Sequence, residues 1–498
     1  MSEHSVEQVR FDFLGSLPVV IESRAIDVSS DAGILPIRQF DHQLGYSARF
    51  IACLNDPRDG QRVEHSIAEM LRQRIYGLLA GYEDCNDHDT LRSDPVFKLV
   101  AGRTPEQEDL ASQPTLSRFE NAIDIASLWR LHDFFLDDFI GSFATPPGEI
   151  TLDVDAWDDP CHGQQQLALF HGFYDQHQYL PLTITCAETK QYLWTALRPG
   201  NVHAALGADD DLEYVVTRLR RAWPDVKIHV RGDAGCGVPW MYRVSERLRV
   251  DYTFGLSANA VLKQASDPLL AQAVQQFEQS GESQRLFTQM LYRAKSWKNP
   301  QRVIVKAECN TIGTNRRFLV TNRPGAAILP QAAYEAYAER GESENRNKEL
   351  KEGVNADRLS CHRFVANYFR VQMHAAALNL MVRLRRVVAD PPDLTALDDP
   401  AAAARDPNFV PVRDAALPIA ALEGQERRRY YNYRRRKDPL GQGHLATWRT
   451  MLIKVAGQVV QSVRRLLITI PAAWPHRAWF VHICQRMREL APRPLPLI

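Results

Sequence analysis

An α/β fold, a mixed sheet flanked by helices, is what this 498-residue sequence predicts. Three observations carry that reading. In EITLDVDAW, Ile150, Leu152 and Val154 alternate with Thr151, Asp153 and Asp155, the period-two signature of a half-buried strand. Two further strand-like runs, YLPLTITC at 179–186 and QYLWTAL at 191–197, lead to a helix at 208–222 whose acidic start and basic end suit the helix dipole. A strand at 226–232, VKIHVRG, then delivers Asp233 at its C-terminal end.

Three strands, a helix and a strand ending in an aspartate is the order of a ribonuclease H-like core, and another strand is expected near 251–257. The chain is long enough for two to four domains. Its 45% apolar and 24% charged content is ordinary for globular proteins. A formal net charge of zero neither demands nor excludes nucleic acid. The eight cysteines form no CxxC pair and read as reduced structural thiols of a cytosolic protein. No basic leader with an apolar core opens the chain, so no signal peptide is expected. The apolar stretch 466–484 is broken by Pro471, Pro475, His476 and Arg477 and cannot span a bilayer.

Taken in order, residues 1–45 read as a strand-and-turn lead-in. Residues 62–82 form an amphipathic helix with Ile67, Met70, Leu71, Ile75, Leu78 and Leu79 on one side. In DLASQPTLSRFENAIDIAS, at 109–127, a Ser-Gln-Pro-Thr cluster separates two apolar-periodic segments. This is either a helix-turn-helix presenting Thr115, Ser117, Arg118 and Asn121 to DNA or a plain helix hairpin. Another helix covers 126–144, and Pro146-Pro147-Gly148 marks a boundary. The expected layout is a helical DNA-binding domain at 1–147 and the first part of the core at 148–259.

Residues 260–328 then leave that core and return. A helical piece at 269–293 leads to strands QRVIVKAEC and RRFLVTN, joined by a Gly-Thr-Asn turn. The second part of the core, 329–388, includes a long buried helix at 361–386. A Pro/Asp/Ala linker at 389–415 precedes a basic, mainly helical C-terminal region at 416–498. There RRRYYNYRRRK, 427–437, is either a phosphate-binding and stacking surface or a disordered basic segment.

The second core part opens on YAERGESENRNKELK. Tyr337, Arg340, Glu344 and Lys351 sit at offsets 0, 3, 7 and 14, which on one helix fall at roughly 0, −60, −20 and −40°. Such a stripe carries a phenol, a guanidinium, a carboxylate and an ammonium. It is either a solvated, ion-paired helix face or a lone acid among phosphate-binding partners. Gly341 weakens helix locally, so the helix is also readable as starting after it, with Tyr337 and Arg340 in the preceding turn. Phosphodiester cleavage with two divalent ions needs converging carboxylates, and magnesium takes a few of them plus phosphate oxygens. Asp155, Asp233 and Glu344 occupy suitable places in order. Asp153 shares a strand face with Asp155 and competes for the first place. Asp158 and Asp159 read as turn-formers beside Pro160, the His162-Gly163-Gln164-Gln165 run as a turn or as substrate contacts, and His162 has no partners for zinc.

LDVDAWDDPCHGQQQ, VRGDAG and Tyr337-x2-Arg340-x3-Glu344-x6-Lys351 together resemble the cut-and-paste DDE transposases of bacterial insertion sequences, in particular the branch with a Tyr-Arg-Glu-Lys signature. The resemblance covers most of the chain. It implies a mostly β insertion at 260–328, before the glutamate. It also implies Mg²⁺-dependent nicking at transposon ends, with Mn²⁺ as a substitute, followed by strand transfer into target DNA. The implied metal-binding, catalytic triad is Asp155, Asp233 and Glu344. Tyr337, Arg340 and Lys351 would grip the transposon-end backbone, with Lys348 and Arg118 as further DNA contacts. Trp297 is the candidate to stack on a flipped base, or else a core tryptophan. Implied partners are double-stranded DNA, both transposon ends and target, and a second copy in a homodimeric synaptic complex. The implied location is the cytoplasm of a bacterium, at the nucleoid. Trp157 stands where the family usually carries threonine. That departure motivates a second reading, a catalytically impaired relative that occupies transposon ends or inhibits transposition. A third is a ribonuclease H-type nuclease that does not transpose.

Overall fold

The computed structural model describes residues 8–11, 13, 19–22, 26–388 and 443–490. The linker at 389–415 and the basic block at 427–437 lie outside them.

The main sheet has eight strands. Five come from the expected core: β1 (Glu149–Ala156), β2 (Leu182–Cys186), β3 (Tyr192–Ala196), β4 (Lys227–Gly232) and β5 (Asp251–Leu256). Three follow: β6 (Gln284–Tyr292), β7 (Gln301–Asn310) and β8 (Gly313–Thr321). Their spatial order is β6-β7-β8-β5-β4-β1-β2-β3. β4 runs parallel to both β1 and β5, and all other neighbours are antiparallel. The half β3-β2-β1-β4-β5 is compatible with a ribonuclease H-like core. Residues 260–328 continue this same sheet through the β5–β8 pairing and add one helix, Ala260–Ser280.

Two local expectations change. Residues 284–292, read as helical, form β6, whose full length is paired to β7. The turn between β7 and β8 is Thr311-Ile312, closed by Asn310 Oδ1 accepting from the Ile312 and Gly313 amides. Gly313 is already in the strand, at φ 137°, a conformation that favours glycine.

Helices cover the sheet where apolar periodicity calls for them. α1 (Ile67–Ala80) starts on a Ser66–Glu69 capping box and ends on left-handed Gly81. It is buried on more than one side, taking Gln73 and Arg74 inside with its aliphatic residues. Gln113–Ala122 and α2 (Ile125–Ile140) follow, separated by Ile123 and Asp124, the latter capping α2 by accepting from the Ser127 amide. α3 (Ala208–Ala222) and α4 (Pro239–Arg247) connect β3 to β4 and β4 to β5. α5 (Phe364–Val388) is buried along most of its length and shares one apolar core with the N-terminal helices and with Leu445, Trp448, Leu452 and Ile453. Gly457–Ser462 and Arg465–Thr469 form a hairpin that pairs with Val28–Ser29. Sequence-distant ends of the chain are therefore joined.

Polar residues of α5 are matched to specific groups. Asn379 accepts from the Tyr192 amide and donates to the Tyr192 carbonyl, both at 2.8 Å, and so satisfies the outer edge of β3. Glu120 meets Arg74 at 2.8 Å and Arg370 at 3.8 Å in a fully buried cluster that ties α5 to α1. No helix of the described residues is long and apolar enough to cross a membrane.

Candidate functional site

The site begins with strand register. Gly232 lies beside Val154 in the parallel β4–β1 pair, so the next residues, Asp233 and Asp155, are neighbours at the C-terminal ends of these strands. Asp155 is 8% exposed. Asp233 ends its strand in a tight turn in which Oδ1 accepts from the Gly235 amide at 2.9 Å and the Cys236 amide at 3.3 Å.

The stretch Tyr337–Lys351 is not one continuous helix. Pro330–Ala338 ends just past Tyr337, a short connection contains Arg340, Gly341–Lys348 forms a second helix, and Glu349–Gly353 widens into a π-turn. The connection is tight, with Arg340 N donating to Tyr337 O and Ser343 N to Arg340 O. Gly341 thus starts the second helix, and the four residues lie on successive helical segments joined by a bend instead of along one straight stripe. Tyr337 lies over the end of β5, where a Cβ on Gly255 would come 3.0 Å from its hydroxyl. Burial is the main influence pushing the Tyr337 phenol up to about 12; Arg340 opposes it and Asp233 adds to it.

Arg340 reaches into the sheet end. Its Nη2 donates to Asp155 Oδ1 at 3.2 Å, while Asn347 Nδ2 and Ser343 Oγ lie 2.9 and 3.5 Å from Asp155 Oδ2. The Glu344 carboxylate is 73% exposed, 3.7 Å from Arg340 Nη1. Asp155 is pushed up to about 6, first by burial and then by the charges of Asp233, Glu344 and Asp153, against the pull of Arg340. Arg340 therefore stands between Asp155 and Glu344, and Asp233 is the strand neighbour of Asp155.

Asp153 is engaged elsewhere. Arg231 grips it through Nε and Nη2, at 2.7 and 3.0 Å, and Arg346 donates to the same carboxylate. This buried ionic cluster leaves Asp155 as the strand carboxylate facing Arg340. Lys351 donates to Asp158 at 3.0 Å, and its ammonium sits 5.6 Å from the centre of the Trp157 ring. Trp157 thus carries a cation on its ring face.

Other expected contacts separate from this cluster. Lys348 is exposed, 3.7 Å from Glu352. Arg118 is exposed on Gln113–Ala122, its Nη2 donating to Thr115 Oγ1 at 3.1 Å, and Asn121 donates to the Ser117 carbonyl. Trp297 is corrected by its surroundings. It is 8% exposed and packs edge-on against Tyr242 and Tyr292 in the core, so its faces are closed to a base. Gln165 and Gln166 hold loops: Gln165 Nε2 donates to Leu359 O, and Gln166 Oε1 accepts from the Phe364 amide. The Arg340–Asp155 and Arg231–Asp153–Arg346 links were absent from the sequence reading. No spacing signals them, because each joins residues far apart in the chain.

Hard carboxylate oxygens around one buried aspartate suit a divalent cation. As the side chains stand, however, no group of three or more His, Cys, Asp or Glu among the described residues converges as a ligand shell. Arg340 supplies the positive charge in that space.

The family model described as transposase DDE domain, group 1, matches residues 11–396. Among curated proteins, none matches the chain.

Proposed function

The chain belongs to the transposase DDE domain family, and on that premise we propose that it binds the inverted-repeat ends of a mobile DNA element, cuts them and joins them to target DNA. The observation that carries this reading is geometric: Asp155 and Asp233 end neighbouring parallel strands, and Arg340 joins Asp155 to Glu344. These three residues would hold divalent metal, Mg²⁺ with Mn²⁺ as substitute. When bound, such metal polarises the scissile phosphate and makes water or a 3′-hydroxyl a competent nucleophile.

The remaining roles fall to the chain itself. Arg340 exchanges Asp155 for a DNA phosphate, which frees the carboxylate and fixes the strand. Lys351, positioned by Asp158 and Trp157, offers a second cation to the same backbone. Tyr337 holds the bend over β5. A homodimer would bring two ends together. We further assign residues 1–147 to end recognition, with Arg118 among the contacts, and residues 148–259 and 329–388 to the catalytic core.

The test is cleavage of a duplex carrying the element's terminal inverted repeat, located as short repeats flanking the coding region. Mg²⁺- or Mn²⁺-dependent nicking followed by joined products supports the proposal. Binding without cleavage favours the second reading, an impaired end-binding relative, which the engagement of Asp155 by Arg340, Ser343 and Asn347 also suits. Cutting without end preference or joining favours a simple nuclease.

A further inference from the structure

The helix that carries Glu344, Gly341–Lys348, reads GESENRNK and contains no aliphatic side chain. Its buried residues are Ser343, Arg346 and Asn347, with buried Arg340 at its N-cap. Apolar packing therefore cannot seat the body of this helix on the sheet. The nearest apolar anchor in sequence is Leu350, in the π-turn beyond its C-terminal end. Over β1 the helix is held by polar contacts.

Two aspartates of β1 receive those contacts and divide them. Asp155 takes Arg340, Ser343 and Asn347. Asp153 takes Arg346, whose Nε also donates to Thr185 Oγ1 on β2 at 3.2 Å. Asp153 is buried and is also held by Arg231, the residue directly opposite it in the β4–β1 register. Arg231 in turn donates to the Ala336 carbonyl at 2.7 Å, next to Tyr337.

These residues stand in a regular relation to the acidic ones. Asp153 precedes Asp155 by two positions, Arg231 precedes Asp233 by two, and Arg346 follows Glu344 by two. One buried ionic cluster thus joins the three segments that carry Asp155, Asp233 and Glu344, and its bonds use none of those three carboxylates. The division matters once Asp155 takes another partner. A divalent cation competes with the helix donors for the same carboxylate oxygens, so metal uptake withdraws Asp155 from the helix. The contacts left are those of Arg346 with Asp153 and Thr185, and a long one of 3.4 Å between the Tyr192 hydroxyl and Asn347 Oδ1.

We propose that Arg346 is the positioning residue for Glu344: through Asp153, itself fixed by Arg231, it keeps the Glu344 helix seated on β1 when Asp155 is released to bind metal. The proposal rests on the metal-dependent cleavage reading above. It gives Asp153 a duty other than ligation.

The experiment measures hydrogen exchange of the amides of 341–348 in full-length protein, without metal and with saturating Mn²⁺, whose uptake is read by calorimetry. In wild type the helix should keep its protection in both states. Arg346→Gln should match wild type without metal, where Asp155 still holds the helix. With Mn²⁺ it should exchange about 10-fold faster, the least that a lost hydrogen bond to a charged group is worth. Asp153 keeps Arg231 in that variant, so its charge is not left unpaired. Arg346→Lys retains a cation for Asp153 and should restore protection in Mn²⁺. The Mn²⁺ concentration for half-maximal end cleavage should rise about 10-fold in Arg346→Gln, with metal-free end affinity unchanged. Equal exchange of wild type and Arg346→Gln in Mn²⁺ overturns the anchor. So does a loss of protection that is the same with and without metal, which would make Arg346 a part of the fold only. Should Arg346→Gln fail to fold, wild type decides: a helix that opens when Mn²⁺ binds overturns the proposal, and one that stays closed supports it. Wild-type protein that takes up no Mn²⁺ overturns the metal reading, and this inference with it.

Discussion

Arg340 donates to Asp155 across 3.2 Å, so one member of the signature proposed to hold DNA is committed to the carboxylate proposed to hold metal. The two duties exclude each other until a phosphate competes for the guanidinium. Arg340→Ala should therefore raise the affinity of the DNA-free protein for Mn²⁺ and lower its affinity for end DNA. Calorimetric Mn²⁺ titration at pH 8, above the Asp155 value of about 6, reads the first effect. Unchanged or weaker Mn²⁺ binding would remove the competition from the mechanism.

Asp233→Ala and Glu344→Ala should each reduce cleavage of end DNA to background while leaving binding largely intact. Glu344 is 73% exposed, so its loss should also spare thermal stability. Cleavage retained in either variant would refute the triad.

Lys351 stands on Trp157 and beside Asp158, its side chain partly exposed. Replacing Lys351 or Arg340 by Ala should make the log–log salt dependence of end binding shallower by about 1 per residue, one phosphate contact each. A slope that matches wild type would count against contact with the backbone.

Glu120 is 1% exposed between Arg74 and Arg370. Glu120→Ala leaves two guanidiniums buried without their counter-charge and should cost about 3–5 kcal/mol. Denaturant unfolding measures this, and a loss below about 1 kcal/mol would mean the cluster relaxes to solvent.

Glu349 links the π-turn to the C-terminal segment by accepting from Arg385 and from the Leu445 amide. Burial works to raise its pKa, but Arg385 and His444 prevail and hold it at about 2, below the ordinary 4.5. A carboxylate depressed on folding stabilises above its unfolded value and loses that contribution as pH falls from about 4.5 towards 2. The full contribution is about 3 kcal/mol at neutral pH. Glu349→Gln should flatten the acid limb of stability between those limits; an unaltered limb would rule the link out.

What the sequence disclosed depended on how local each signal was. α3 was legible to the residue because its charges follow its own dipole. The helices Leu35–Leu44 and Tyr46–Ala52 were hidden because Pro36 and Gly45 look like breakers. One occupies the first turn, and the other is the left-handed cap between them. β6 read as helix because QRLFTQMLY lacks strong alternation, and its state is decided by pairing with β7. The acidic residues showed themselves at strand ends, whereas the partners of Asp153 and Asp155 arrive from up to 193 positions away and leave no pattern. Trp297 was open to two readings, a base-stacking ring or a core residue, and its packing against Tyr242 and Tyr292 is that of a core residue.

The amide side chain that meets Tyr192 has an effect beyond local satisfaction. A terminal strand normally advertises its main-chain groups to any extended segment nearby. With Asn379 supplying both donor and acceptor there, that point of the sheet margin is closed to recruitment. A second copy of the chain therefore finds no free main-chain groups on Tyr192 to extend the sheet.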